Sequence, residues 1–309
     1  MHLAFTGHRR LRRRGMWAVT ACLSVALVAC NPHFGESNGP FRRGTITTQN
    51  GETFGYSGGA DTVVVSSSGS NTSGNTREFF WQEDRAFYSD QQSCNTWETP
   101  TGSQIGDSIQ PGLAMRIAPS GPERSGVKGI TVNENIWSGA IWIFWVNVWD
   151  SSNVEAPIQG VQSFDLSPVV GKFWVDEDGL HSTLEPGPWH VCARTQGSRV
   201  SFKVWTGDDP EPSWDDPEQV HSATLPDGWD YPGYSGGYVG HIRAGQSAVF
   251  SGQSSVPLCL EPDMSDSAYC REKFAGPGST TTTTSRSPSG ATTIPGSTGS
   301  TGSVPATGG

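Results

Sequence analysis

Positive charge is scarce in this sequence of 309 residues. It has only four lysines, and its 20 Lys and Arg are outnumbered by 30 Asp and Glu, so the formal net charge is −10. Nucleic-acid-binding proteins usually present clustered cations to the phosphates. The acidic balance therefore excludes nucleic acid as an expected partner. It also argues against attachment to an anionic lipid surface by charge alone.

Long apolar runs are absent as well. The segment 16–29 is apolar or small in character over 14 residues, which is too short for the about 20 residues that span a bilayer. It follows five arginines between Arg9 and Arg14, and this order of charge, apolar run and small residues predicts a secretory signal over residues 1–29. Its removal would move the formal charge from −10 to −15.

The end of this signal, Leu27-Val28-Ala29-Cys30, resembles a bacterial lipobox. In that motif the cysteine becomes the first mature residue and carries lipid. The resemblance implies lipidation at Cys30 and a protein held on the extracytoplasmic face of the cell membrane. An ordinary signal peptide that happens to end in Cys is the alternative.

Recognisable catalytic and zinc-binding patterns are missing too. The E-x-D-x-x-E spacing that gathers two carboxylates at a sugar is absent, and two G-x-S-x-G matches, at 55–59 and 233–237, precede no helical pattern. No CxxC spacing suggests zinc. We therefore predict no catalytic residues and no metal ligands apart from a candidate calcium site in the acidic stretch 202–216.

Four cysteines follow Cys30, and an even number outside the cytoplasm indicates disulfides. Three pairings are possible. Cys259 and Cys270 are close in sequence and are expected to form a local pair, which leaves Cys94 with Cys192. In the chain-entropy description the longer link would contribute about 4–5 kcal/mol.

Composition divides the remaining chain. Residues 30–75 are polar and predicted to be a linker with possible short strands at 45–48 and 62–65, where β-branched residues cluster. A β-sandwich is expected over 76–256 and a Cys-containing extension over 257–275. Residues 276–309 are rich in Ser, Thr, Gly and Pro and are predicted to form a disordered tail.

The body of the chain has 11 of the 12 tryptophans and recurrent short strand-like runs between turn residues, which predicts an all-β fold. Residues 189–195 and 199–205 flank a Gln-Gly turn and predict a hairpin. The run 140–149, AIWIFWVNVW, is apolar on both alternating faces. Such a strand is either covered on both sides or offers one aromatic face to a ligand.

The stretch 202–216, FKVWTGDDPEPSWDD, places carboxylates between two tryptophans. One interpretation is a stiff acidic turn that ends a strand, with the second tryptophan packed back on the sheet. The other is a sugar or calcium site, since calcium binds several converging oxygens. The residues of this candidate site are Trp205, Asp208, Asp209, Glu211 and Trp214.

Several segments together, among them QPGLAMRI, GITVNENIWSGAIWIFWVNVWD, PWHVCARTQGSRVSFKVW and GYVGHIRAG, resemble a family of secreted actinobacterial proteins of unknown function. That family is similar to LamG-like, concanavalin A-like jelly rolls. The resemblance covers residues 78–252 and implies a two-sheet antiparallel jelly-roll sandwich. Its motifs are structural, and it implies no function.

These observations predict a lipid-anchored surface protein whose sandwich binds carbohydrate or another cell-envelope polymer. A structural or adhesive surface protein without a ligand is the alternative, and a glycan-processing enzyme with dispersed carboxylates is a third. Tryptophan exposure separates the first two, because an open aromatic row on one sheet face suits stacking against sugar rings.

Overall fold

Antiparallel strands make up most of the chain in the computed structural model. Asp208, Cys30 and the signal segment lie outside the residues that the structure describes. The described residues are 34–48, 51–59, 61–67, 75–83, 87–98, 109–134, 143–166, 174–175, 182–183, 188–207 and 209–274.

Within these ranges there are 17 strands, two short 3-10 helices (Pro122–Arg124 and Leu258–Leu260) and one α-helix, α1 (Ala268–Phe274). None of the described helices is long and apolar enough to cross a membrane. The strands are β1 (Glu36–Asn38), β2 (Phe41–Thr47), β3 (Phe54–Gly58), β4 (Thr62–Ser67), β5 (Arg77–Trp81), β6 (Gln91–Glu98), β7 (Gln110–Ser120), β8 (Gly126–Glu134), β9 (Ile143–Asp150), β10 (Ile158–Asp165), β11 (Trp174–Val175), β12 (Ser182–Thr183), β13 (Trp189–Gln196), β14 (Arg199–Thr206), β15 (His221–Thr224), β16 (Tyr234–Gly240) and β17 (Ser247–Pro257).

Two large sheets account for all strands except the separate β11–β12 pair. The eight-stranded sheet has the order β1-β2-β5-β16-β7-β8-β9-β10, and the seven-stranded sheet has the order β15-β14-β13-β6-β17-β4-β3. Every strand pair is antiparallel. The predicted all-β, two-sheet antiparallel sandwich is confirmed. The chain divides into two compact units, 1–265 with the sandwich and 266–309 with α1.

The inner faces of the two sheets share one apolar core. Phe80 of β5 meets Phe250 of β17 with ring centroids 5.0 Å apart. Trp97 of β6 stacks on Phe144 of β9 at 5.7 Å. These contacts join the sheets through aromatic side chains, which bury large apolar areas and therefore dominate the packing energy.

The sandwich begins near residue 36 rather than at residue 76. Strands β1 and β2 belong to the eight-stranded sheet, and β3 and β4 belong to the seven-stranded sheet. Phe41, Phe54 and Val65 are fully or almost fully buried in the core. The expected strands at 45–48 and 62–65 overlap β2 and β4, but both strands are part of the sandwich and are not isolated in a linker. The sequence predicted a linker here because the residues around these strands are rich in Gly and Ser, and because their pairing partners are distant in sequence.

The predicted hairpin is confirmed as β13 and β14. Val200, Phe202 and Val204 of β14 face the core, as the alternation indicates. Cys192 of β13 lies opposite Cys94 of β6 and is joined to it by a disulfide with a sequence separation of 98. Cys259 and Cys270 are also disulfide-bonded.

The outer face of the eight-stranded sheet carries a second apolar cluster. Phe79 and Trp81 of β5, Tyr238 of β16 and Trp149 of β9 are all buried there, at 2% exposure or less. Aromatic residues therefore occupy both faces of this sheet. This second layer flanks a cavity on the same face, since Trp149 belongs to both.

Candidate functional site

A cavity of about 250 Å³ opens on the outer face of the eight-stranded sheet. Five strands supply most of its wall, and His241 follows directly after β16. The lining contains aromatic, amide and cationic groups but no carboxylate. Its residues are Arg77, Gln110, Asn133, Trp145, Asn147, Trp149, Ile158, Gly160 and His241.

Strand β9 places three of these residues through simple alternation. Phe144, Val146 and Val148 point into the core, so the intervening side chains face outward. Trp149 is 2% exposed, whereas Trp145 remains partly accessible at the cavity. Over its described part, 143–149, the run is mostly covered on both faces, since Asn147 and Trp149 are 4% and 2% exposed, and Trp145 is the aromatic residue that stays partly accessible to a ligand.

The position of Trp145 depends on a glycine in the next strand. A Cβ atom added at Gly160 of β10 would lie 3.1 Å from Cζ3 of the Trp145 indole. The absence of a side chain at position 160 leaves room for the ring to lie against β10. Trp145 is therefore supported from one side while its indole N–H finds no acceptor within the described residues.

A chain of hydrogen bonds fixes the amides beside this ring. Trp149 donates from Nε1 to Thr131 Oγ1 (2.9 Å), and Thr131 donates to Asn133 Oδ1 (2.7 Å). Asn147 donates from Nδ2 to the same Asn133 oxygen (2.8 Å), and Asn133 Nδ2 donates to the Glu134 carbonyl (3.1 Å). These bonds determine both amide orientations. They leave Asn147 Oδ1 as a fixed acceptor with no donor from the described residues.

Arg77, in contact with His241, forms the cationic end of the cavity. Nη2 of Arg77 lies 2.7 Å from Nε2 of His241. A guanidinium has donors but no acceptor, so Arg77 donates and Nε2 accepts in this contact. Backbone geometry makes this placement unusual, because His241 has φ 61°, in the left-handed region that non-glycine residues rarely adopt.

The candidate residues of the acidic stretch lie on the other sheet, around the end of β14. Lys203, 2% exposed, donates to the Pro212 carbonyl at 2.5 Å and pairs with Glu211 at 2.8 Å. Its Nζ lies 4.4 Å from the Trp214 ring centroid, and the Arg194 guanidinium lies 4.1 Å from the same centroid. Trp214 therefore packs back onto cations of the sheet.

Trp205 is placed differently from Trp214. Its ring stacks on His190, with centroids 5.2 Å apart. Together with Asp209 and Glu211 it lines a second cavity of about 320 Å³. Asp208 falls outside the described residues. The structure thus brings Trp205, Asp209 and Glu211 to one surface. Trp214 does not line this cavity and packs against Lys203 instead.

Metal ligation has no visible basis in the described ranges, where no three His, Cys, Asp or Glu side chains could together hold an ion. Of the acidic stretch, Glu211 is already engaged by Lys203. Calcium at this stretch stays a prediction.

Sequence reasoning missed most residues of the outer-face cavity. Asn147 gave the one available signal, because it is the polar residue within an otherwise apolar run. Arg77, Asn133 and His241 gave none. Their meeting depends on cross-strand pairing, as the Arg77–His241 contact joins residues 164 positions apart.

No protein-family model matches this sequence, and no curated protein matches it. Solved structures do resemble the fold. A Bacillus subtilis protein of unknown function with a galectin-like fold is 12% identical, with 74% of this chain and 94% of that chain covered, at a TM-score of 0.40.

Two further similar structures are described by a ligand or a module type. The VIP36 exoplasmic/lumenal domain, solved with Ca²⁺ and Man3GlcNAc bound, is 11% identical, with 78% of this chain and 95% of that chain covered, at a TM-score of 0.38. The CBM2 module of the evolved Dit protein of Lactobacillus casei BL23 phage J-1 is 11% identical, with 72% and 92% covered, at a TM-score of 0.38. These likenesses concern the fold alone.

Proposed function

We propose that this protein binds carbohydrate in the cavity on the outer face of the eight-stranded sheet. The observation that carries the proposal is the partly accessible Trp145 beside amides already locked by hydrogen bonds. An indole ring stacks on the apolar C–H face of a sugar. Preset polar groups around an aromatic surface fix a ligand's orientation without an ordering cost on binding.

Each polar group has a defined task in this arrangement. Asn147 Oδ1 accepts a hydrogen bond from a sugar hydroxyl, because its Nδ2 is held by Asn133. The Trp145 N–H and the remaining donors of Arg77 bind sugar oxygens. The cavity offers donors and acceptors together, which suits hydroxyl groups that can do both.

The cellular setting of the proposal comes from the sequence. Lipid on Cys30 would hold the protein on the extracytoplasmic face of a bacterial membrane, where two or more acyl chains anchor stably. Residues 31–35 then separate the lipid from β1. The ligand expected in that setting is a polysaccharide or a cell-envelope glycan.

The test is binding of the purified protein to a broad glycan panel, followed by titration of each hit with Trp145→Ala. We expect affinity to fall at least tenfold, which corresponds to about 1.4 kcal/mol. Trp205→Ala is the matched control, because it removes a partly exposed tryptophan from the second cavity. Near-ultraviolet circular dichroism verifies that both variants are folded.

Three results would decide the proposal. Loss of binding in Trp145→Ala alone supports it. Loss in Trp205→Ala alone would move the site to the cavity beside Asp209 and Glu211, and an EDTA arm would then test calcium there. Absence of binding to every glycan, with and without calcium, would contradict carbohydrate binding and favour a structural or adhesive protein.

A further inference from the structure

The cavity contains a cation that no carboxylate of the described chain neutralises. Arg77 has no ion pair in the part of the chain that the structure describes, and the residues lining the cavity include no Asp or Glu. This is unusual for a chain with a formal net charge of −10. A partly buried charge is costly unless it is paired.

Four other buried or partly buried cations do have an acid nearby. Arg43 lies 3.9 Å from Glu78, Arg194 forms a double contact with Asp263 at 2.7 Å, and Lys203 pairs with Glu211 at 2.8 Å. Arg116, with a fully buried side chain, lies 3.5 Å from Asp90. These four cations thus have an acid beside them. Among the described residues Arg77 has none, and neither does the partly buried Lys128 of β8, whose Nζ lies 3.8 Å from the Tyr231 ring centroid instead.

The protein holds Arg77 in place with neutral groups instead. Nη1 donates to Thr47 Oγ1 and to the Asn75 carbonyl, both at 3.3 Å, and Nη2 donates to His241. The guanidinium carbon lies 5.9 Å from the Trp149 ring centroid. These contacts use three of the five N–H groups and orient the planar group while its charge stays available.

We propose that the site selects an acidic saccharide, with Arg77 binding the carboxylate of a uronic acid residue whose ring stacks on Trp145. The proposal rests on carbohydrate binding at this cavity. Three N–H groups of Arg77 are used by these contacts and the Tyr238 hydroxyl lies beside the guanidinium, which leaves at least one N–H to donate to a carboxylate. Arg77 and Trp145 line the same cavity of about 250 Å³, so one sugar residue bound there can contact both.

The experiment compares matched ligands on the unaltered protein. The probes are tetramers of galacturonate and of β-1,4-linked glucuronate, each as the free acid and as the methyl ester, which keeps the sugar and removes the charge. Isothermal titration at low ionic strength should show the acid form binding at least tenfold more tightly than its ester. Added salt should reduce that difference, because screening weakens charge pairs.

Variants assign the difference to a residue. Arg77→Gln should bring the acid and the ester to similar affinity. Arg77→Lys should keep part of the preference, because it retains charge but loses the planar pair of donors. Arg199→Gln, which removes an exposed arginine on the seven-stranded sheet, should keep the full preference.

The outcomes separate this proposal from the function it rests on. Equal affinity for acid and ester, with both lost in Trp145→Ala, would overturn acidic selectivity and leave carbohydrate binding intact. Trp145-dependent binding of neutral glycans only would do the same. If no saccharide binds in a Trp145-dependent manner, both proposals fail. The ligand comparison needs no variant, so it stays decisive even if Arg77→Gln does not fold.

Discussion

At the scale of single residues, two buried carboxyl groups stand out. Glu134 is 5% exposed, its Oε1 is buried without a hydrogen-bond partner, and burial raises its pKa to about 8. Burial also raises the pKa of Glu78 to about 7, although hydrogen bonds from Tyr56 and Thr45 and the nearby Arg43 oppose the shift. Both groups favour the neutral form in the folded protein.

Each of these two groups therefore contributes a stability that decreases as pH rises, whereas burial lowers the pKa of His221 and gives a contribution of the opposite sign. An acid whose pKa is higher in the folded state stabilises the fold fully below its unfolded value near 4.5, and that contribution is lost as pH increases through the folded pKa. As pH rises from about 5 to 8, the increasing tendency of each carboxyl group to lose its proton lowers the free energy of unfolding by up to about 1.4 kcal/mol per pH unit. Glu134→Gln should flatten part of this slope.

The measurement is urea unfolding of the wild type and Glu134→Gln at several pH values. The variant should gain stability relative to the wild type as pH rises, and Glu78 should leave a residual slope. Glu155→Gln changes an exposed carboxyl and serves as the control. Superimposable profiles for the wild type and Glu134→Gln would show that Glu134 is ionised equally in both states.

At the scale of elements, sequence reasoning succeeded where a pattern is local. The β13–β14 hairpin follows from two alternating runs around Gln196-Gly197, and Gly197 has φ 55°, which suits the turn. Strand β9 was predictable from its apolar run. Strands β2 to β4 were not assigned to the sandwich, because their partners are remote, as in the pairing of Arg42 with Trp81.

Local sequence patterns predict even less of the candidate site than of the fold. Trp145, Asn147 and Trp149 could be placed on one strand face. Thr131 and Asn133, which bond Trp149 and Asn147, and Arg77 come from other strands. Composition carries no information about these pairings. A cavity assembled from five strands therefore becomes visible only when the register of the sheet is known.

The exit of β14 allows a prediction at this scale. Trp214 covers Arg194 and Lys203, and such cation–π contacts contribute up to about 2 kcal/mol when partly desolvated. Trp214→Ala should therefore lower the free energy of unfolding by about 1–3 kcal/mol, measured by urea titration. Asp215→Ala in the same turn is exposed and should change it by less than about 0.5 kcal/mol.

That pair of variants also discriminates between the two interpretations of the acidic stretch. A structural role for Trp214 predicts lower stability with unchanged affinity for any glycan bound at Trp145. A loss of ligand affinity in Trp214→Ala without loss of stability would instead assign the stretch to a binding site.

At the scale of the whole molecule, the first four strands tie the two sheets together. They occupy one edge of each sheet, and their side chains complete the core around Phe80 and Phe250. Tyr56 of β3 donates to the fully buried Glu78 at 2.7 Å. Without these strands, an apolar surface would be exposed and a buried carboxyl would lose its donors.

A chain cut at residue 76 should therefore fail to fold cooperatively, whereas residues 34–274 should retain a single unfolding transition. The expected loss is large, because Phe41, Phe54, Tyr56, Val63 and Val65 each contribute roughly 1.5–3 kcal/mol through burial. Thermal unfolding followed by circular dichroism, with limited proteolysis, provides the measurement. Removal of residues 276–309 is the control and should leave the transition unchanged. A cooperative transition of residues 76–274 at the same temperature as residues 34–274 would show that β1 to β4 are dispensable.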